Sequence, residues 1–210
     1  MFIGSARMLL LAIVAALVYL GLLHRVLDRM RLTKAGALLI LLAMAIASFL
    51  PELPLGFGLS VNIGGMLIPL AICIYLIIVA DSREEKFRGL AAAGVTLLVV
   101  WSINHLFPVD PVFFPLNIDP LFLPSIVAGL TAYIIGRSRR ASFIGAVLGV
   151  LFLDLAAWLE NIYRGQYTVP VVLGGAGIYS AAVIAGLLAV FLAEVIGEVR
   201  ERLGGGPSNA

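Results

Sequence analysis

Asp154, in the run "GVLFLDLAAWLE", is the one acid set well inside an apolar stretch of this chain. A carboxylate among apolar neighbours is costly to leave unpaired, so it points to a proton, a cation or a donor on another segment. Counted from Arg140 along a helix, Asp154 lies about 21 Å from that basic end. The same counting brings Ser102 and His105, measured from Arg88, and Ser180, measured from Glu194, to nearly one level. Two phrases, "VNIGGMLIP" (61–69) and "LNIDPLFLP" (116–124), add polar helix starts. Asn62 with Gly64 and Gly65, and Asn117 with Asp119, offer capping side chains and open backbone there. A third glycine run, "VVLGGAG", supplies Gly174 and Gly175. The expectation is an ion- or ligand-binding layer with Asp154 as proton or cation acceptor and the Asn62 and Asn117 helix starts as its lining.

Other chemistries have weaker support. No His, Cys and carboxylate set has metal-ligand spacing, and no Ser-His-Asp set stands out, so neither a metal nor a catalytic residue is assigned. "GGAG" is too short for a dinucleotide fingerprint and is read as lacking a preceding strand; no cofactor is implied. Cys73, the single cysteine, lies in an apolar run and reads as packing.

The elements that must carry these residues follow from composition. Of 210 residues, 62% are hydrophobic and 12% charged. Soluble domains carry about 45–50% and about 25%. Lipid must therefore be the solvent for most of this surface, and the expected class is an all-α, polytopic transmembrane bundle in the cell membrane. Apolar runs near 8–23, 35–50, 62–80, 88–106, 120–136, 141–159 and 174–194 make about seven spans. The first is read as retained, since its basic flank follows it. All but Arg7 and Arg164 of the 14 lysines and arginines fall on one side, which the positive-inside rule makes cytoplasmic. The N-terminus is then outside and the C-terminus inside. A net charge of +2 does not argue for nucleic acid; the bilayer, with anionic lipid at the basic loops, is the implied partner.

The phrase around Asn62 recurs at Asn117, and the same step taken again lands on Val172, just before Gly174 and Gly175. This predicts a leading helix and basic loop (1–34), then three tandem helical hairpins (35–83, 84–138 and 139–197) in one transmembrane domain, 1–203. Each hairpin has two spans, so all three point the same way and suggest a pseudo-threefold bundle with its site near the common axis. The tail 204–210 has nothing to pack and is expected to be disordered. The helix of the third span is expected to start near Ser60 with Asn62 at the headgroups; a non-helical dip of "LSVNIGG" into the bilayer is the alternative.

With these motifs in view, the chain resembles a family of small polytopic prokaryotic membrane proteins catalogued as domain of unknown function 1614. The likeness rests on Asn62, Ile63, Gly64, Gly65, Ile68 and Pro69, on Asp119, Pro120, Leu123 and Pro124, on Asp154, and on "GGAG" at 174–177. The family's pattern carries an aspartate where this chain has Ser180. Two facing aspartates would imply aspartyl-protease chemistry, which needs a carboxyl pair sharing a proton. The resemblance implies an architecture and no activity.

Three functions compete on these residues. The leading one is a small ion- or solute-binding or translocating bundle with its polar site in the outer leaflet. The second is a non-catalytic assembly or scaffold subunit. The third is an intramembrane hydrolase-like enzyme pairing Asp154 with Asp119 or His105.

Overall fold

The computed structural model describes residues 33–106 and 122–203. The first apolar run, the tail, and the segment holding Asn117 and Asp119 lie outside the described residues. Six helices occupy the rest: α1 (Lys34–Ala47), α2 (a π turn, Ile63–Leu67, running into Ile68–Val79), α3 (Arg83–Leu106), α4 (Phe122–Gly136), α5 (Arg139–Tyr163) and α6 (Ala181–Leu203). Local chemistry sets their starts. Thr33 caps α1 by accepting from the Gly36 N–H at 3.0 Å, and Ser138 caps α5 by accepting from Ala141 at 3.1 Å. Ser82 does the same for Glu85 at 3.1 Å, and Glu84 and Glu85 put negative charge on the positive end of α3.

Helix α5 organises the packing. Every residue from Arg140 to Leu151 is buried, so α5 is enclosed on all sides through its first half. Small residues let its neighbours approach. Gly145 faces Ala92, Gly149 faces Thr96, and Gly89 faces Ile144, which makes α3 and α5 parallel and tightly apposed. Gly186 of α6 packs on Val147 and Phe143, and Gly129 of α4 packs on Leu188. The centre of the described helices is therefore filled. The helix that carries Asp154 itself occupies the middle.

The all-α expectation also needs correcting, because the connectors form a small sheet. Strands β1 (Leu53–Gly56), β2 (Leu59–Val61) and β3 (Val171–Leu173) lie in that order. β1 and β2 form an antiparallel hairpin, and β2 and β3 are parallel, with Leu59 opposite Val171 and Val61 opposite Leu173. Pro51 and Pro54 disfavour helix, and Gly56 and Gly58 take positive φ, so the backbone here turns back and finds partners across strands. The helix expected from Ser60 therefore begins only after Val61. The last apolar run is shortened too: residues 174–180 form turns, and α6 starts at Ala181.

Two of the basic residues that marked one end of the spans, Arg139 and Arg140, are paired with acids there. Arg140, its side chain 8% exposed, reaches Asp81 at 2.8 Å and Glu85 at 3.3 Å. Glu85 also accepts from Ser138 Oγ at 2.9 Å, and Arg139 pairs with Glu194 of α6. Removing one partner of a buried pair strands the other charge, at about 3–5 kcal/mol. Asp81 is 61% exposed and returns to water, but Glu85 is 18% exposed. We therefore expect Arg140→Ala to cost about 3 kcal/mol, the low end of that range. Thermal unfolding of the purified protein in detergent measures it, and an unchanged midpoint would show the cluster to be energetically idle.

Candidate functional site

Two glycine-bearing segments meet beside Asp154. The first follows β2. Asn62 has extended backbone (φ −89°, ψ 127°), and its Oδ1 accepts from the Gly65 N–H at 2.9 Å, capping the π turn from within. Asn62 is buried rather than at a surface, at 6% exposure. The second segment follows β3. Gly174, Ala176 and Gly177 all take positive φ, so the chain turns sharply into a 3-10 turn (Gly177–Tyr179) before Ser180 opens α6. Ala176 at φ 68° carries a Cβ in the left-handed region, a strained choice held by its surroundings.

Contacts between the segments are mostly backbone on backbone, with one serine hydroxyl added. The Asn62 N–H donates to Leu173 O at 3.1 Å, and Ser180 Oγ lies 3.4 Å from Gly65 O. A Cβ on Gly174 would meet Met66 N at 2.5 Å, and one on Gly65 would meet Gly177 O at 2.6 Å. No side chain fits at either place. Ser48, at the end of α1, ties the junction from one flank. Its Oγ donates to Met44 O at 2.6 Å and accepts from the Ile178 N–H at 2.9 Å, while Gly64 and Gly177 press against it.

Asp154 ties the other flank. Its Oδ2 accepts from the Gly174 N–H at 3.2 Å. One turn further along α5, Trp158 Nε1 donates to Phe57 O at 3.0 Å, so the same face of the helix holds the sheet. No lysine, arginine or histidine pairs with Asp154 among the described residues, and its Oδ1 has no hydrogen-bond partner there.

The structure thus gathers Asp154, Asn62, Ser180, Gly64, Gly65, Gly174 and Gly175 into one junction. Ser102 and His105 stay apart from it. His105 Nδ1 is 3.0 Å from Trp101 O, and its Nε2 is 3.6 Å from Glu160, which also accepts from Trp101 Nε1 at 2.6 Å. Glu160 is six residues beyond Asp154, about 9 Å along the helix. The pairing of Asp154 with His105 is therefore replaced by Asp154 with Gly174 and His105 with Glu160. Ser102 is half-buried on α3. Asn117 and Asp119 lie outside the described residues, so a partnership of Asp154 with Asp119 falls there too.

Two residues escaped the sequence reading. Ser48 is a hydroxyl in the last turn of an apolar helix, a place where it can bond back to the preceding turn and still offer an acceptor. Glu160 sits nearly two turns past Asp154 on the way out of the apolar run. A strand does precede "GGAG", contrary to expectation, yet the space above Gly174 is filled by the Gly65–Met66 backbone rather than open to a phosphate.

The Gly65 N–H at the start of α2 is satisfied by Asn62, and Gly174 N–H by Asp154, so the donors an anion would need are engaged. What the site offers is the second carboxylate oxygen of Asp154, a group that accepts a proton or a cation rather than an anion. No group of three or more His, Cys, Asp and Glu gathers among the described residues in a way that could hold a metal ion.

A protein-family model described as "Protein of unknown function (DUF1614)" matches residues 23–192, a stretch that contains the whole junction. No curated protein and no solved structure matches the chain.

Proposed function

The chain belongs to that family of unknown function, and from its geometry we propose a polytopic membrane protein that binds a proton or small monovalent cation at Asp154 and lets it cross. The observation that carries this is the state of Asp154: one carboxylate oxygen is held by a backbone N–H, and among the described residues the other has no hydrogen-bond partner and no basic side chain pairs with it.

The bilayer reading has its own support. Helices α3 and α5, of 24 and 25 residues, are long and apolar enough to cross a membrane. Large apolar side chains point outward on α2, α3 and α4, with Ile78 at 69%, Leu98 at 63% and Ile134 at 61% exposure. Such surfaces are stable against lipid and unstable against water. Seven spans in all, with the connectors outside and the Arg139–Arg140 end in the cytoplasm against anionic lipid, agree with the distribution of basic residues. The parallel pairing of β2 with β3, each leading into a glycine-bearing helix start, agrees with tandem hairpins of one orientation. On this reading the junction is an interruption of helical backbone at membrane depth, buried in protein as such interruptions must be.

Reconstitution tests it. Vesicles containing the protein, loaded with a proton, sodium or potassium gradient, should discharge at least one of these faster than protein-free vesicles. If all three gradients persist equally in both, the translocation reading fails.

A further inference from the structure

The connector between α1 and α2 is apolar on both sides. β2 turns Leu59 and Val61 inward, 7% and 3% exposed, onto Leu173, Leu155 and Trp158. β1 turns outward: all four of its residues are exposed, and Leu55 and the turn residue Phe57 stand at 63% and 72%. Between Leu53 and Val61 there is no charged residue. A loop meant for water does not look like this.

Exposed apolar residues also precede the hairpin in the chain. Leu39, Leu42 and Ile46 form an exposed stripe along α1 at helical spacing, and Phe49, Leu53, Leu55 and Phe57, which follow in the chain, are exposed as well. The hairpin is held in that attitude from below by the Trp158–Phe57 hydrogen bond and by Gly58, over which the Tyr167 and Val169 carbonyls close to 2.8 Å of where a Cβ would stand. Phe57 itself takes φ 51°, between Gly56 at 93° and Gly58 at 75°, so the turn presents the aromatic ring outward at some backbone strain.

We propose that this hairpin lies in the outer headgroup–acyl boundary, with Leu53, Leu55 and Phe57 in contact with phospholipid, and roofs the Asp154 junction from the lipid side. The proposal rests on the membrane-spanning reading above. Chemistry fixes the depth. Among the described residues the outer edge of β1 has no strand partner, and unpaired backbone groups are not tolerated in the hydrocarbon centre, although Pro54 removes one donor from that strand. The boundary supplies headgroups and water for the edge and acyl chains for the side chains. Glu52, exposed at the base of the hairpin, stays on the aqueous side. A protein partner is less well matched, because the surface offers no charge to select one.

Site-directed spin labelling tests the depth. In a Cys73→Ala background, labels are placed through Phe57→Cys, Leu55→Cys and, as a control on the outward face of α3, Leu98→Cys, each in phospholipid vesicles. Labels at 55 and 57 should be relaxed more by oxygen, which concentrates in lipid, than by a water-soluble nickel chelate, as should the label at 98. A nickel-favoured signal at 55 and 57 with an oxygen-favoured one at 98 overturns the proposal and leaves the membrane reading intact. Protection of 55 and 57 from both agents means that protein covers the hairpin, a second copy or another segment, and also overturns it. A nickel-favoured signal at all three sites overturns the membrane reading and the proposal together.

Discussion

Gly65→Ala is expected to lower the stability of the protein by about 4 kcal/mol. The added methyl group would fall inside contact distance of the Gly174 carbonyl and 2.6 Å from Gly177 O. Both are backbone atoms, and neither can swing aside as a side chain would. Overpacking a well-filled core commonly costs about 1–3 kcal/mol through side-chain and backbone shifts. Here relief requires parting the "NIGG" and "GGAG" segments, which breaks the Asn62–Leu173 hydrogen bond and draws Gly174 from Asp154. The expected cost is therefore above that range, about 4 kcal/mol, against a total stability of about 5–15 kcal/mol for a typical domain. Gly94→Ala is the matched control. Gly94 lies inside α3 with nothing within 4 Å of its would-be Cβ, and an alanine there should add about 0.5–1 kcal/mol by restricting the unfolded chain. Thermal unfolding of both variants in one detergent makes the comparison. A Gly65→Ala protein that melts like the parent would mean that the two segments do not touch.

Asp154 separates structure from function through two substitutions. In Asp154→Asn the side-chain carbonyl still accepts the Gly174 N–H, so stability should stay within about 1 kcal/mol of the parent. The amide cannot take up a proton or hold a cation as a carboxylate does, so flux through reconstituted vesicles should fall to the protein-free background. Asp154→Ala loses the acceptor as well. It leaves the buried Gly174 N–H unpaired and should cost a further 1–3 kcal/mol or about that, besides abolishing flux. If Asp154→Asn carries full flux, the carboxylate is not the acceptor and Asp154 is a strut for the sheet alone. Equal stability of the Asn and Ala variants would instead remove the strut.

Much of this arrangement was legible before any coordinates. Apolar runs of near-helical length mark the six described helices, because burying or solvating such runs in lipid leaves the backbone no other way to satisfy itself. Proline and glycine clusters mark the connectors for the same local reason. The glycines at 64, 65, 174 and 175 and the lone acid at 154 declare themselves by type, since each is expensive or conspicuous where it stands.

What those residues do to one another belongs to the tertiary structure. β2 and β3 are three residues each, too short for an alternating pattern to register, and their pairing joins segments far apart in the chain. The sequence counts levels along helices, and so it placed Asp154, His105 and Ser102 together. Azimuth around the helix axes decided instead that Asp154 faces Gly174 while His105 faces Glu160. In the same way, charge alone marked an end of the bundle, whereas the cradle of Asp81 and Glu85 around Arg140 required three helical termini to converge. Local composition determined which stretches are helical and which residues are costly to bury. The meeting of two glycine turns beneath one carboxylate depends on how α5 is rotated and enclosed, a sum of many weak packing contacts that no single stretch of the chain encodes.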